Sequence, residues 1–379
     1  MPKILAIFGN VALYGQERSN IHVFNTLRNK GYELLLLVND RGFHWHLQPE
    51  VDAHFLNYKK IRFPWNFRKT LKIKSLLLYL MDTVRYNIEF LNSYKKYKPD
   101  YIHIANDFFY MTLWPTLIFV NCPIIFRLGD KPTRRFFYEK WLWKYFIIKR
   151  TKHFVCISKF IATELKKIDP TFKRLSVIYN IPPTRKATIK ENLPQKDDSK
   201  FTVLYVGQLN KIKGVHILFE AAIKLMTIKK SKFRFIFAGQ IYQSDLFKEI
   251  SKSSFYKKNR ESLIFTDKVQ NIHHLYQISD VVVVPSLVEE ALSNIVGEAK
   301  QAMCPAIVFN SGGLSELIQH KVNGYICNEK NAESIIDAIS YYLNNPNTLE
   351  KARMASYDSI LHLGLTQDMF TQKWISVYN

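Results

Sequence analysis

Short, continuous apolar runs recur along the chain, separated by longer stretches of mixed polarity. KILAIF opens the series at Lys3, and YELLLLV comes next at Tyr32. Further runs are DYIHIAN (Asp100 to Asn106), PIIFRLGD (Pro123 to Asp130), HFVCIS (His153 to Ser158) and LSVIYN (Leu175 to Asn180). Runs of this length without strict alternation predict parallel strands buried on both faces. Between the first two, Ser19 to Lys30 reads as a helix, with Gly31 as its C-terminal stop. A further helix is expected from Lys159. The stretch 181–200, IPPTRKATIKENLPQKDDSK, has no apolar periodicity and marks a boundary. A second alternating series then begins with FTVLYVGQL at Phe201 and continues through FRFIFAGQ, SLIFTD and VVVVPS. Alternation of this kind predicts an α/β protein with two Rossmann-like halves. The expected division is 1–182, a linker at 183–200, 201–365, and a final helical segment at 366–379.

The one uncharged stretch long enough to suggest a membrane span is Phe108 to Phe126. Pro115, Asn121 and Pro123 interrupt it. It is therefore read as a helix from Phe109 to Phe119, a turn and a buried strand. The apolar run at the start is too short for a secretory leader. Four scattered cysteines without metal-ligand spacing point to reduced thiols, and so to a cytoplasmic setting. Charge is divided unevenly. Of the net +22, residues 1–200 carry +19 and the remainder +3. An anionic partner is expected for the first half only.

Candidate chemistry concentrates in the second half. VVVVPS, from Val281 to Ser286, ends in a loop that carries Glu290, and the helix expected from Ser293 carries Glu298 one to two turns in. Strand C-terminal ends in open α/β sheets are where ligands bind. One carboxylate there suits a sugar hydroxyl, the other a ribose. Upstream, Gly207 to Gly214 lies between a strand and a helix. Gly207 permits close backbone approach, the helix start offers free N–H groups, and Lys213 adds a full charge. Together they form a candidate diphosphate cradle. No Asp-x-Asp pair occurs, so no metal is expected to hold the diphosphate.

These motifs resemble glycosyltransferase family four, the retaining GT-B enzymes. The matching residues are Pro285, Ser286, Glu290, Glu298, Ala299, Pro305, Gly312, Gly313 and Glu316, with Lys213 and Gly214 upstream. Gly15-Gln16-Glu17-Arg18 matches the family loop that opens the first long helix. The resemblance covers nearly the whole chain and is stronger in the second half. It implies a GT-B fold of two Rossmann-like domains facing a central cleft, with the acceptor held by the first and a UDP- or GDP-linked sugar by the second. It implies Glu290 as the catalytic-site carboxylate that contacts the donor sugar. Gly15, Gly207, Gln208, Lys213, Ser293, Asn294 and Glu298 are the implied donor-binding residues. His103, Arg127 and Asp130 are the expected acceptor-side residues, and Asn180 matches a family position before the linker. No cofactor beyond the nucleotide sugar is implied, and the final segment is expected to return to the first domain. The sequence departs from the family pattern at Gln208 in place of Arg, at Cys304 in place of Gly, at Ala291 and Ser293 in place of glycines, and at Gly129-Asp130 in place of His-Asp.

Two basic stretches, Lys59 to Lys74 and Lys131 to Arg150, interleave Lys and Arg with Trp, Phe and Tyr. Rings and cations in this mixture suit an anionic membrane surface. Helices with a solvated lysine face are the competing reading, and no nucleic-acid partner is expected. The function expected is sugar transfer to a glycan or lipid-linked acceptor in surface-polysaccharide assembly, by a protein held peripherally at the inner membrane face. A sugar-nucleotide epimerase of the same fold and a non-catalytic basic binding protein are the alternatives.

Overall fold

The computed structural model describes residues 1–379 apart from 12, 14, 65–72, 183–192, 243 and 268, and apart from the side chains of 45, 46 and 230. The chain forms two compact units. One comprises Met1–Asn180 with Gln367–Asn379, the other Ile181–Thr366. Most of the expected linker, 183–192, lies outside the described residues. Its remaining residues are fastened to the second unit, since the carbonyls of Pro194 and Gln195 accept from His274 (2.9 Å) and Arg234 (2.6 Å).

In the first unit the strands are β1 (Lys3–Phe8), β2 (Glu33–Asn39), β3 (Tyr58–Ile61), β4 (Tyr101–Ile104), β5 (Ile124–Leu128), β6 (Thr151–Cys156) and β7 (Leu175–Val177). They pair in the order β3-β2-β1-β4-β5-β6-β7, every pair parallel among the described residues. β5 is buried at every position, as its unbroken apolar run requires. The opening helix is Gly15–Asn29, four residues longer at its start than the apolar pattern indicates. Glu17 lies in its first turn, where an acid suits the helix dipole. The helix expected at Phe109 instead spans Asp107–Leu117, because the Asn106 side chain caps it by accepting from the Phe109 N–H. Among the described residues no helix is long and apolar enough to cross a membrane.

The second unit contains β8 (Phe201–Val206), β9 (Phe233–Ala238), β10 (Leu263–Thr266), β11 (Val281–Val284), β12 (Ala306–Phe309) and β13 (Gly324–Cys327). Their order is β10-β9-β8-β11-β12-β13, again all parallel among the described residues. Both sheets reverse direction of strand addition beside their first strand. That reversal opens a crevice at the strands' C-terminal ends: between β1 and β4 in one unit, and between β8 and β11 in the other.

The closing helix, Gln367–Tyr378, completes the first unit. Trp374 is 1% exposed and Tyr378 is 2% exposed. Tyr378 packs near Tyr32, and its hydroxyl lies 2.5 Å from His103 Nδ1. Gln367 donates to Thr26 at 3.2 Å. Truncating Trp374 to Ala is expected to destabilise the first unit by about 3–5 kcal/mol, the usual cost of emptying a large aromatic site. In urea unfolding the transition of the first unit should move to lower denaturant while that of the second unit stays in place.

Candidate functional site

The crevice between β8 and β11 is built from two loops held together by backbone. Gly207 comes directly after β8 with φ +139°, and its N–H donates to Ala238. Its carbonyl occupies the place where a Cβ on Gly239 would fall, at 1.9 Å, so Gly239 admits no side chain. Tyr205 donates its hydroxyl to the Gln208 carbonyl at 2.7 Å, and the Asn210 side chain accepts from the Lys213 N–H at 2.9 Å. Gly214 then turns with φ +71° into the helix Val215–Lys229. A Cβ on Gly214 would lie 1.9 Å from the Pro285 carbonyl oxygen. Both its conformation and this contact therefore require glycine. Leu287 N–H closes the junction by donating to the Ile212 carbonyl at 3.0 Å.

Glu290 is pinned from the other side. Its N–H donates to Ser311, and its carbonyl accepts from Gly313 at 2.7 Å. Gly312 between them has φ +65°. The Gly-Gly pair therefore fixes the backbone of the carboxylate residue. Glu290 Oε1 meets Lys213 Nζ at 2.9 Å, with side-chain exposures of 16% and 34%. A pair this sheltered is stronger than a solvated one. Any anion that takes the ammonium must compete with Glu290 for it.

Ser293 caps the helix Asn294–Gln301, its side chain accepting from Val296. Glu298 is the fifth residue of that helix and accepts from the Tyr276 hydroxyl at 3.0 Å. Burial, reinforced by the Glu298 charge, pushes the Tyr276 phenol well above its ordinary value, so it stays a donor. Gly207, Gln208, Lys213, Glu290, Ser293, Asn294 and Glu298 thus all lie on the loops and helix starts of one crevice. Gln208 is exposed, its side-chain oxygen accepting from Asn210. Asn210 and Tyr276 support the site and were not anticipated. Nothing distinguishes Tyr276 in sequence from a core aromatic.

In the first unit Gly15 is the first residue of the opening helix, and its carbonyl accepts from Ser19 at 2.8 Å. Two of the expected acceptor-side residues are buried inside the unit. His103 is 0% exposed and sits between Phe24, Trp374 and Tyr378. Burial first, and then the Arg127 charge, lower it to about 3, so it stays neutral. Arg127 is 2% exposed and donates to the side-chain oxygens of Asn20 and Asn180, both at 2.6 Å. His103 is the third of four residues in β4 and Arg127 the fourth of five in β5, and both side chains are buried within the unit. Asp130 is different, being exposed just beyond β5. Desolvation raises its carboxyl to about 6, with the Asp107 and Glu17 charges pushing the same way and Arg127 opposing. The two like charges give the same direction as desolvation, so the upward shift holds even though the residue's surface is open. Among the described residues no cluster of His, Cys, Asp and Glu could hold a metal ion.

The sequence signature of "Glycosyl transferases group 1" matches residues 186–359, and that of "Glycosyltransferase Family 4" matches residues 14–184. The chain belongs to the family-four, group 1 glycosyltransferases. It is 30% identical over 206 residues to a Methanocaldococcus jannaschii protein described as an uncharacterized glycosyltransferase, covering 50% of each chain. It is 29% identical over 170 residues to the lipopolysaccharide 1,2-N-acetylglucosaminetransferase of Salmonella typhimurium, covering 41% of this chain and 44% of the relative. These matches thus span half or less of the relatives' lengths. Among solved structures, a Rickettsia africae glycosyltransferase superposes with TM-score 0.80 at 19% identity, covering 100% of this chain and 97% of the other. Anabaena HepE, solved in complex with UDP, superposes with TM-score 0.78 at 15% identity over 99% of both. The fold of this family-four member is therefore GT-B.

The Asp130 shift predicts a pH dependence. A carboxyl that holds its proton more tightly when folded favours the native state fully below the ordinary carboxylate range. That contribution is lost as pH rises through about 6. Asp130→Asn should therefore raise the melting temperature at neutral pH, and the gain should vanish below about pH 4. Melting curves across that range check it.

Proposed function

We propose that this protein transfers a sugar from a UDP- or GDP-linked donor to a glycan or lipid-linked acceptor, with retention of anomeric configuration and without a metal. The observation that carries this reading is the Lys213–Glu290 pair at 2.9 Å, set on two glycine-stitched loops at the β8/β11 crevice. Lys213 faces the leaving diphosphate. N–H groups at the start of Val215–Lys229 and at Ser293–Asn294 add fixed positive ends as negative charge develops. Glu290 orients the donor sugar through its hydroxyls, and Glu298, held by Tyr276, takes the ribose. The leaving phosphate oxygen accepts the proton of the attacking hydroxyl, so no separate base is required. The first unit supplies the acceptor site, with Asp130 the exposed carboxyl nearest the β5 end. Surface-polysaccharide assembly at the cytoplasmic face of the membrane is the proposed setting. The lipopolysaccharide role of the Salmonella relative and the +19 charge of residues 1–200 support it. HepE was also solved with UDP-glucose, which makes a uridine donor the first to test.

A thermal-shift panel of UDP, GDP, ADP and their sugar conjugates should single out one nucleotide. Lys213→Ala should weaken that nucleotide by about tenfold to a hundredfold, the value of a charged hydrogen bond. Glu290→Gln separates binding from chemistry. With Lys213 released from its partner, nucleotide affinity should hold or rise, while turnover falls by about a hundredfold or more. Product formed without any acceptor would point instead to epimerisation. Equal turnover in wild type and Glu290→Gln would overturn the assignment.

A further inference from the structure

The helix Ile73–Tyr97 is the most unusual surface of the first unit. Its buried residues are Asp82, Tyr86, Phe90 and Ser93, all on one side. On the opposite side Ile73, Leu77, Leu80, Met81, Val84 and Ile88 recur at the spacing of a single stripe. All six are between 50% and 81% exposed. The stripe runs for about 22 Å along the helix axis. An amphipathic helix normally buries its apolar side, and here that side is turned to solvent.

A second patch shares a neighbour with it. The helix Asp107–Leu117 packs both on Ile73–Tyr97 and on the π-helical turn Trp143–Ile147. Trp114 carries the second contact, with its ring 6.4 Å from Trp141 and 6.2 Å from Phe146. In this region Phe137, Trp141 and Tyr145 are 84%, 45% and 49% exposed. Lys144 and Lys149 lie over the Tyr145 ring at 5.4 and 5.9 Å. Residues 131–150 hold seven Lys and Arg and a single acid, Glu139. Glu139 is 0% exposed and accepts from the Arg135 and Phe136 N–H groups. The segment therefore presents only positive charge to the outside.

We propose that this face docks on the headgroup layer of an anionic bilayer. The stripe of Ile73–Ile88 rests at the acyl boundary, the exposed rings sit among the headgroups, and Lys140, Lys144 and Lys149 meet lipid phosphates. Charge complementarity favours this occupant over a second copy of the chain, since two such basic faces repel. Lying on the surface is also the mode open to the helix, since among the described residues no helix is long and apolar enough to cross a membrane. The proposal rests on the reading that the protein works at a membrane, and names the surface through which it does so.

Vesicle co-sedimentation tests both and keeps them apart. The probes are vesicles of phosphatidylcholine alone and of an equal mixture with phosphatidylglycerol. Wild type should partition onto the mixed vesicles and weakly onto the neutral ones. Leu77→Glu with Val84→Glu changes exposed positions only and should leave the nucleotide-induced thermal shift intact. It should reduce partitioning by about tenfold or more at every salt concentration. Lys140→Glu with Lys144→Glu should reduce it most at low ionic strength. No binding by wild type would sink the membrane reading and this proposal together. Undiminished binding by the stripe variant would overturn this face alone. A wild-type dimer in light scattering that the stripe variant dissolves, with vesicle binding unchanged, would assign the face to a second copy.

Discussion

The site of the second unit depends on one close approach of backbone to backbone. The loop after β8 and the loop after β11 touch where Gly214 meets the Pro285 carbonyl, and no larger residue fits between them. Leu287 and Ile212 add a hydrogen bond beside it. This junction brings Lys213, from one strand–helix turn, within ion-pair distance of Glu290 from another. Shifting either loop outward by the width of a methyl group would separate the charges and weaken their attraction steeply in a partly buried setting. The pair is thus a product of the sheet's order reversal, which makes β8 and β11 neighbours although 74 residues lie between the end of one and the start of the other.

Around this junction each functional group has a second residue that holds it. Asn210 fixes the Lys213 backbone, Gly313 the Glu290 carbonyl, and Tyr276 the Glu298 carboxylate. Gln208 stands where the family carries an arginine, which leaves the loop's full charges to Lys211, 3.7 Å from Glu249, and Lys213, 2.9 Å from Glu290. Helix N-termini at Val215–Lys229 and Asn294–Gln301 add partial positive charge to the crevice, weaker individually than an ammonium but needing no side-chain ordering.

Much of this was legible in the chain because strands buried on both faces leave unbroken apolar runs, and because glycines with fixed backbone demands sit at constant offsets from them. The residues expected on the donor side come together at one crevice because spacing along local turns fixes their backbone, which sequence records directly. The burial of His103 and Arg127, expected on the acceptor side, was not legible for a different reason. Both lie one position short of a strand's end, where the alternation of side chains decides between crevice and core, and they pack against Trp374, Asn20 and Asn180. Those partners are distant in the chain and leave no local trace. The apolar stripe of Ile73–Ile88 also escaped notice. Its periodicity is that of any amphipathic helix, and only the structure reveals that the opposite side is the buried one. Phe63, within a stretch noted for its mixture of rings and cations, is in fact core, packed on Tyr86 and Phe109.

The closing helix gives the fold an order in time. The first unit is interrupted after Asn180 and resumes at Gln367, so the 186 residues of the second unit are synthesised before the first can be completed. At common translation rates that interval is about ten to forty seconds. Throughout it, the cavity that Trp374 and Tyr378 later fill stands open, with His103 and Tyr101 at its wall. The second unit has all of its strands by then and can fold on its own schedule. Every strand of the second unit is therefore synthesised while the first unit still awaits its closing helix.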